Sequence, residues 1–271
     1  MMFLLMIAAV VVAEQEAPPA SPASEIGNTP APAPPEDHAA DVLFDPAEMA
    51  RAREMLRKEN GGLISRSVMF NLAEYQARAR SDGYRWEGAA RFGGDLQKLV
   101  IKSEGEGEFG GALEDAEVQL LYSRAIAPYF DLQAGVRYDI TPNPSRTYAV
   151  VGIEGIAPFW FDVDAQLFLS NKGDMLARLE GYYDQRITQR LIAQPRAELN
   201  LAVQDVRENG VGSGFSDLEL GVRLRYEIKP EFAPYVGVEW ARQFGDTARF
   251  ARAAGGEASV TNFVLGVHFW F

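Results

Sequence analysis

The stretch Val260 to Phe271, reading VTNFVLGVHFWF, alternates strictly: Phe263, Leu265, Val267, Phe269 and Phe271 fall on every second position, with Asn262, Gly266 and His268 between them. A period of two puts the five apolar side chains on one face of a β-strand. The same pattern recurs upstream. Leu218, Leu220, Val222, Leu224 and Tyr226 alternate with Glu219, Gly221, Arg223, Arg225 and Glu227, and Phe161, Val163, Ala165, Leu167 and Leu169 with Asp162, Asp164 and Gln166. Phe130, Leu132, Ala134 and Val136 alternate with Asp131, Gln133, Gly135 and Arg137. A soluble sandwich contains such strands, but rarely so many. No run of eighteen or more apolar residues occurs, so a helical membrane span is absent. Strands that cross a bilayer must close into a ring, because lipid cannot satisfy a free sheet edge.

Twelve alternating segments are read between Ser65 and Phe271, centred near residues 72, 88, 101, 118, 133, 151, 165, 179, 197, 222, 237 and 265. An even count suits a bacterial single-chain barrel. The connections alternate in length. Those at Ala125 to Tyr129, Ala157 to Trp160, Ile187 to Arg190 and Lys229 to Pro234 are tight; those at Ile140 to Thr147, Asp205 to Asp217 and Gly245 to Ala258 are longer and rich in Gly, Asn, Pro or charge. Trp160 and Trp270 then fall at the short-turn rim and Trp86 and Trp240 at the other, as aromatic girdles would. The expected fold is all-β: a transmembrane antiparallel β-barrel of about twelve strands, preceded by a disordered Pro-rich tail and a short helix. Its termini are expected in the periplasm of a Gram-negative envelope.

The boundaries expected ahead of the barrel follow from composition. Phe3 to Ala13 is an apolar run ending in small residues, so residues 1–13 are read as a secretory signal. Residues 14–44 are read as a flexible periplasmic tail; seven of the fifteen prolines lie within residues 14–40, among Ala, Ser and Glu. Residues 45–62 are read as a helix, with Asp45, Pro46 and Glu48 as its start and Gly61 and Gly62 as its stop. Met49, Ala52 and Leu56 share one face of it, which fits either a helix lying on the barrel mouth or the membrane, or a solvated linker. Residues 63–271 are the barrel. Eight acids and no Lys or Arg lie between Glu14 and Ala50, so much of the net charge of −12 belongs to this tail. No basic patch points to nucleic acid. With no cysteine, a disulfide framework, a thiolate metal site and a thiol nucleophile are excluded.

The strand faces opposite the apolar ones are crowded with both signs, among them Arg85, Glu87, Lys102, Glu117, Arg178, Arg196, Glu198, Arg223 and Glu239. Two readings stay open. One is an ion-paired network that fills and stiffens the lumen, since a bare charge there is costly. The other is a cation path along Asp162, Asp164, Glu180 and Asp184. Metal ligands beyond carboxylates are sparse: His38, His268, Met49 and Met55 are the candidates, His268 on the lumen face and His38 beside Glu36 and Asp37. No catalytic residues are assigned. His268 has Gly266 and Trp270 as same-face neighbours, which supply no hydroxyl, and no phosphate loop occurs, so an enzyme is not expected.

The runs GDLQKLVIKSEGEGEFGG (Gly94 to Gly111), AEVQLLYSRAIAPYFDLQAGVRYD (Ala116 to Asp139), APFWFDVDAQLFLS (Ala157 to Ser170), TQRLIAQPRAELN (Thr188 to Asn200) and SDLELGVRLRYEIKPEFAPYVGVEW (Ser216 to Trp240) resemble the copper resistance protein B family, from about Ala50 to Phe271. The resemblance implies an outer-membrane protein of a copper resistance system that binds copper ions or passes them across the membrane. It also implies work beside a periplasmic multicopper oxidase. The alternative is a small general pore or structural barrel with no metal specificity. The family's Met- and His-rich segment ahead of the barrel is replaced here by Pro, Ala and Glu with the single His38, which leaves copper capture without that segment or moves it to a partner. Expected partners are outer-membrane lipid and the barrel-assembly machinery, for which the terminal Phe271 is the signal.

Overall fold

The computed structural model describes residues 38–60 and 63–271. The signal at 1–13, most of the tail at 14–44 and the helix stop at Gly61 and Gly62 lie outside the described residues. The chain divides into two compact units between Met55 and Leu56.

The first holds a 3-10 turn, Ala39–Val42, and most of helix α1, Pro46–Asn60. Asp45 caps α1 as its position before Pro46 predicts: its Oδ1 accepts from the backbone N–H groups of Ala47 (2.7 Å) and Glu48 (3.2 Å). Arg53 donates to both carboxylate oxygens of Asp41 at 2.5 and 3.0 Å. That hydrogen-bonded guanidinium holds the Asp41 carboxyl below its ordinary value.

The second unit is a closed antiparallel ring. Its strands are β1 Ser65–Ala77, β2 Gly83–Gly93, β3 Gln97–Glu108, β4 Leu113–Ala127, β5 Phe130–Thr141, β6 Arg146–Ala157, β7 Phe161–Ser170, β8 Met175–Tyr183, β9 Gln185–Arg186, β10 Leu191–Ala202, β11 Gly214–Tyr226, β12 Phe232–Gln243 and β13 Ser259–Trp270. The two-residue β9 follows β8 just past Asp184 and pairs with the same neighbour, β10, so the ring has twelve staves and one short extra segment. Each expected strand centre falls inside one of the staves. Closure is made by β13 on β1, through Met69 opposite Trp270 and Phe70 opposite Phe269. Val68 and Phe271 exchange backbone hydrogen bonds at 2.8 and 2.9 Å, and Phe70 stacks on Phe269.

The ring is inside out relative to a soluble protein. Arg223 and Glu117 are each 1% exposed, whereas Val222 is 55% exposed. Alternation dictates this: every second side chain enters a lumen lined by charge, and the others form an apolar belt. A closed, even-staved antiparallel ring with such a belt is a transmembrane barrel of the bacterial outer-membrane type.

The two ends differ in part as expected. The connection expected to be long from Ile140 to Thr147 is only 142–145, because β5 runs on to Thr141 and β6 starts at Arg146, and it is shorter than 227–231 at the other end. One carries the short turns, including 128–129, 158–160 and 187–190; the other carries the longer connections 203–213 and 244–258. Trp160 and Trp270 lie at the short-turn end, Trp86 and Trp240 near the other. Trp86 lies across Gly105, where a Cβ would come within 2.5 Å of its ring, so only glycine lets the indole lie flat on the strand. In the 158–160 turn, Phe159 and Trp160 both take left-handed backbone, at φ 67 and 66, and remain 84% and 70% exposed. The connection expected as a loop from Gly245 to Ala258 instead folds in part into helix α2, Gly245–Ala253. It buries Thr247 and Ala248, and Thr247 Oγ1 accepts the Gly212 N–H at 2.8 Å.

Candidate functional site

The lumen is crossed by a layer of arginines, each shared among carboxylates on several strands. Arg223 on β11 donates to Glu74 on β1 at 2.9 and 3.1 Å and to Glu239 on β12 at 2.6 Å. Arg85 on β2 reaches Glu219 at 2.6 Å, and Glu239 and Glu198 at 3.4 Å. Arg178 on β8 binds Glu104, with Glu117 at 3.0 Å and Glu198 at 3.4 Å. Arg196 on β10 binds Glu87 at 2.5 Å, Glu180 at 3.1 Å and Glu198 at 3.3 Å. Glu198 thus faces three guanidinium groups. Arg137 joins Glu117 and Asp139, both at 2.6 Å, and lies over the rings of Phe168 and Tyr148. Desolvation offsets much of the attraction in such pairs, but removing one partner leaves the other bare.

Two cavities flank this layer. The one at the short-turn end, about 440 Å³, reaches Tyr129 and Ile156 at the rim and Glu104, Glu117 and Arg178 at its floor. The one at the long-loop end, about 410 Å³, is lined by Arg78, Glu106, Glu219, Glu239 and Asn262. They share no lining residue; on β3 the border falls between Glu104 and Glu106.

Among the acids expected to form a cation path, Asp162, Asp164 and Glu180 line the short-turn cavity and Asp184 does not. Asp164 is paired with Lys102 at 2.5 Å, Glu180 with Arg196, and Asp184 with Arg225 at 2.5 Å. Asp162 instead feels the like charges of Asp184 and Glu154. His268, half-buried on β13, shares the lumen rim with Arg225, Asp184 and Glu227. His38, Met49 and Met55 belong to the first unit: His38 and Met55 are exposed and Met49 is half-buried. Among the described residues, no group of three or more His, Cys, Asp or Glu is arranged to hold a metal ion.

Several lumen residues escape the sequence pattern. Glu74 follows a bulge between Phe70 and Leu72, which turns Leu72 inward and breaks the alternation of β1. Glu104 and Glu106 alternate with Gly105 and Gly107 rather than with apolar residues, so that part of β3 reads as a loop. Met69 and Gln119 also line the short-turn cavity. Glu104, Glu106 and Gln119 could have been placed by extending the period of two from Lys102 and Glu117.

Comparison with known proteins gives the same architecture a relationship. A family model described as copper resistance protein B precursor (CopB) matches residues 64–271. The chain is 41% identical to copper resistance protein B of Escherichia coli over 208 residues, covering 77% of this chain and 70% of that protein. It is 41% identical to a copper resistance protein B homolog of Pseudomonas syringae pv. tomato over 198 residues, covering 73% and 67%. Among solved structures, a NanC porin aligns at a TM-score of 0.49 with 15% identity, covering 75% of this chain and 98% of the porin. A matched model spanning the whole barrel and two relatives at this identity establish that the chain belongs to the copper resistance protein B family.

Proposed function

We propose that the barrel handles copper ions, binding them in its lumen and passing them across the outer membrane in the service of copper homeostasis. The observation that carries this reading is family membership across residues 64–271, held by a barrel whose short-turn cavity is acidic. Copper is here the cargo. His268 at the lumen rim offers an imidazole of the kind Cu(II) accepts, and Met49 and Met55 offer thioethers of the kind Cu(I) favours, with His38 ahead of them. On this reading the N-terminal unit lies in the periplasm, facing a multicopper oxidase as partner. Outer-membrane lipid surrounds the belt, the assembly machinery inserts the barrel, and no reaction is catalysed.

The test is copper-challenged growth of cells lacking the gene, compared with complemented cells, together with copper flux into liposomes carrying the purified barrel. Loss of tolerance and flux above protein-free vesicles are expected. Unchanged tolerance combined with no copper flux or binding would sink the proposal.

The second reading, a small general pore or structural barrel without metal specificity, is favoured by the arginine–carboxylate layer between the two cavities. Such a barrel would pass neutral solutes and copper indifferently, or neither, in the same liposomes.

A further inference from the structure

The cavity at the short-turn end is oversupplied with acceptors. Eight carboxylate side chains line it against three cations, Arg91, Lys102 and Arg178. The three lining cations are all engaged: Arg91 with Glu154 at 2.6 Å, Lys102 with Glu154 at 2.7 Å and Asp164 at 2.5 Å, and Arg178 with the floor carboxylates Glu104 and Glu117. Arg196 reaches Glu87 and Glu180, and Lys98 reaches Asp131, from outside the lining, so seven of the eight are ion-paired and Asp162 is not. Asp162 has no ion-pair partner among the described residues; its charged neighbours are Asp184 and Glu154, and Tyr182 faces it on β8. Two buried acceptors have no partner at all. Gln119 is 3% exposed; its Nε2 donates to Glu117 at 2.7 Å and to Gln166 at 3.2 Å, which fixes the amide's orientation and leaves Oε1 unpartnered. Asp164 Oδ1 is likewise unpartnered. Buried polar atoms are nearly always satisfied, so a lining with this shortage points to an occupant.

What Asp162 lacks is a positive partner, and what the two orphaned oxygens lack is a hydrogen-bond donor. A divalent cation with its water shell supplies both, the ion offsetting the carboxylates and the waters donating to the orphaned oxygens. Six waters occupy roughly 180 Å³, which the cavity of about 440 Å³ accommodates. A bare soft ion would need sulfur or imidazole, and among the lining residues only the Met69 thioether is of that kind.

We propose that this vestibule is a binding site for a hydrated divalent cation, with Asp162, Asp164 and Gln119 facing its water shell. The class of ion follows from the cavity. Its identity as Cu(II) rather than Cu(I) rests on the copper reading above. The arginine layer forms the floor on which the ion waits.

The experiment uses the full chain purified in detergent, titrated with Cu²⁺ alone and followed by calorimetry and by electron paramagnetic resonance, with Mn²⁺ and Ag⁺ as competitors. Asp162→Asn breaks none of the ion pairs described above and is the variant that keeps the barrel intact; Asp162→Asn with Asp164→Asn is the stronger test. Cu²⁺ binding with an oxygen-only spectrum is expected, weakened about tenfold by Asp162→Asn, the scale of one charge acting on a divalent ion across a water layer. Mn²⁺ should displace it. Mn²⁺ bound as tightly as Cu²⁺ and lost in the same variants supports the site and removes the copper reading. Cu²⁺ binding unchanged by both variants, a nitrogen-split spectrum, or displacement by Ag⁺ but not Mn²⁺ overturns the site and leaves the copper reading standing. No divalent binding at all overturns the site, and the reading then rests on copper tolerance alone.

Discussion

At the scale of single residues, the lumen is governed by sharing. Glu198 faces Arg85, Arg178 and Arg196, so no other lumen carboxylate described above answers to as many guanidinium groups. Glu198→Ala is expected to destabilise the barrel by about 3–5 kcal/mol, the cost of stranding buried charge, measured by urea unfolding or by heat-modifiable migration on a detergent gel. Loss below about 1 kcal/mol would mean that water, not Glu198, solvates those arginines. Much of this layer is legible in sequence, because Glu87, Arg178, Arg196 and Glu198 alternate with apolar neighbours. Glu74 is hidden, because a bulge resets the phase ahead of it; Glu104 is only weakly marked, because glycines remove the apolar half of its pattern and the period carried on from Lys102 alone places it. Pairing across the lumen is invisible in any case, since Arg85 and Glu198 are 113 positions apart.

At the scale of elements, strands were easier to read than what joins them. The period of two places every stave, and the two longest connections, 203–213 and 244–258, mark one end, whereas 142–145 is too short to do so. Helix α2 was missed because nine residues with a short buried stretch, Thr247 and Ala248, give too little periodicity to distinguish a helix from a polar loop. The connection 203–213 is tied down by charge. Glu208 accepts from Lys172 at 2.7 Å and from Arg146 at 2.8 Å, and Arg146 also binds Asp174. Lys172 first, then Arg146, holds the Glu208 carboxyl below its ordinary value. A lowered folded value means that the clasp contributes fully above the unfolded value, near 4.5, and is lost as the pH falls through the lower folded one. A spin label at Val203 should therefore show constant mobility above about pH 5 and rising mobility below about pH 4, with Glu208→Gln mobile throughout. Equal mobility of the two proteins at neutral pH would show the clasp to be inert.

At the scale of the whole molecule, the ion-paired layer decides how much the lumen conducts. Replacing Arg85 and Glu219 together by alanine removes a matched pair and leaves little stranded charge, so the ring should survive while the two cavities join. Single-channel conductance in planar bilayers is expected to be low for the parent protein and several-fold higher for the double variant. A high parent conductance would mean that the layer is already bypassed. The ring itself was legible because a greasy strand such as Val260 to Phe271 has to find a partner, yet the partition of its interior depends on contacts that no local pattern encodes. The seam has a consequence for how the molecule is made. β1 can pair on one side with β2 as soon as both exist, but its other edge waits for β13, at the opposite end of the barrel sequence. Until then two unpaired rims, on β1 and on whichever stave is last in place, offer themselves to any neighbouring chain. Circularity is thus the slowest contact to gain, and an arrested chain would be prone to join other copies edge to edge instead of closing on itself.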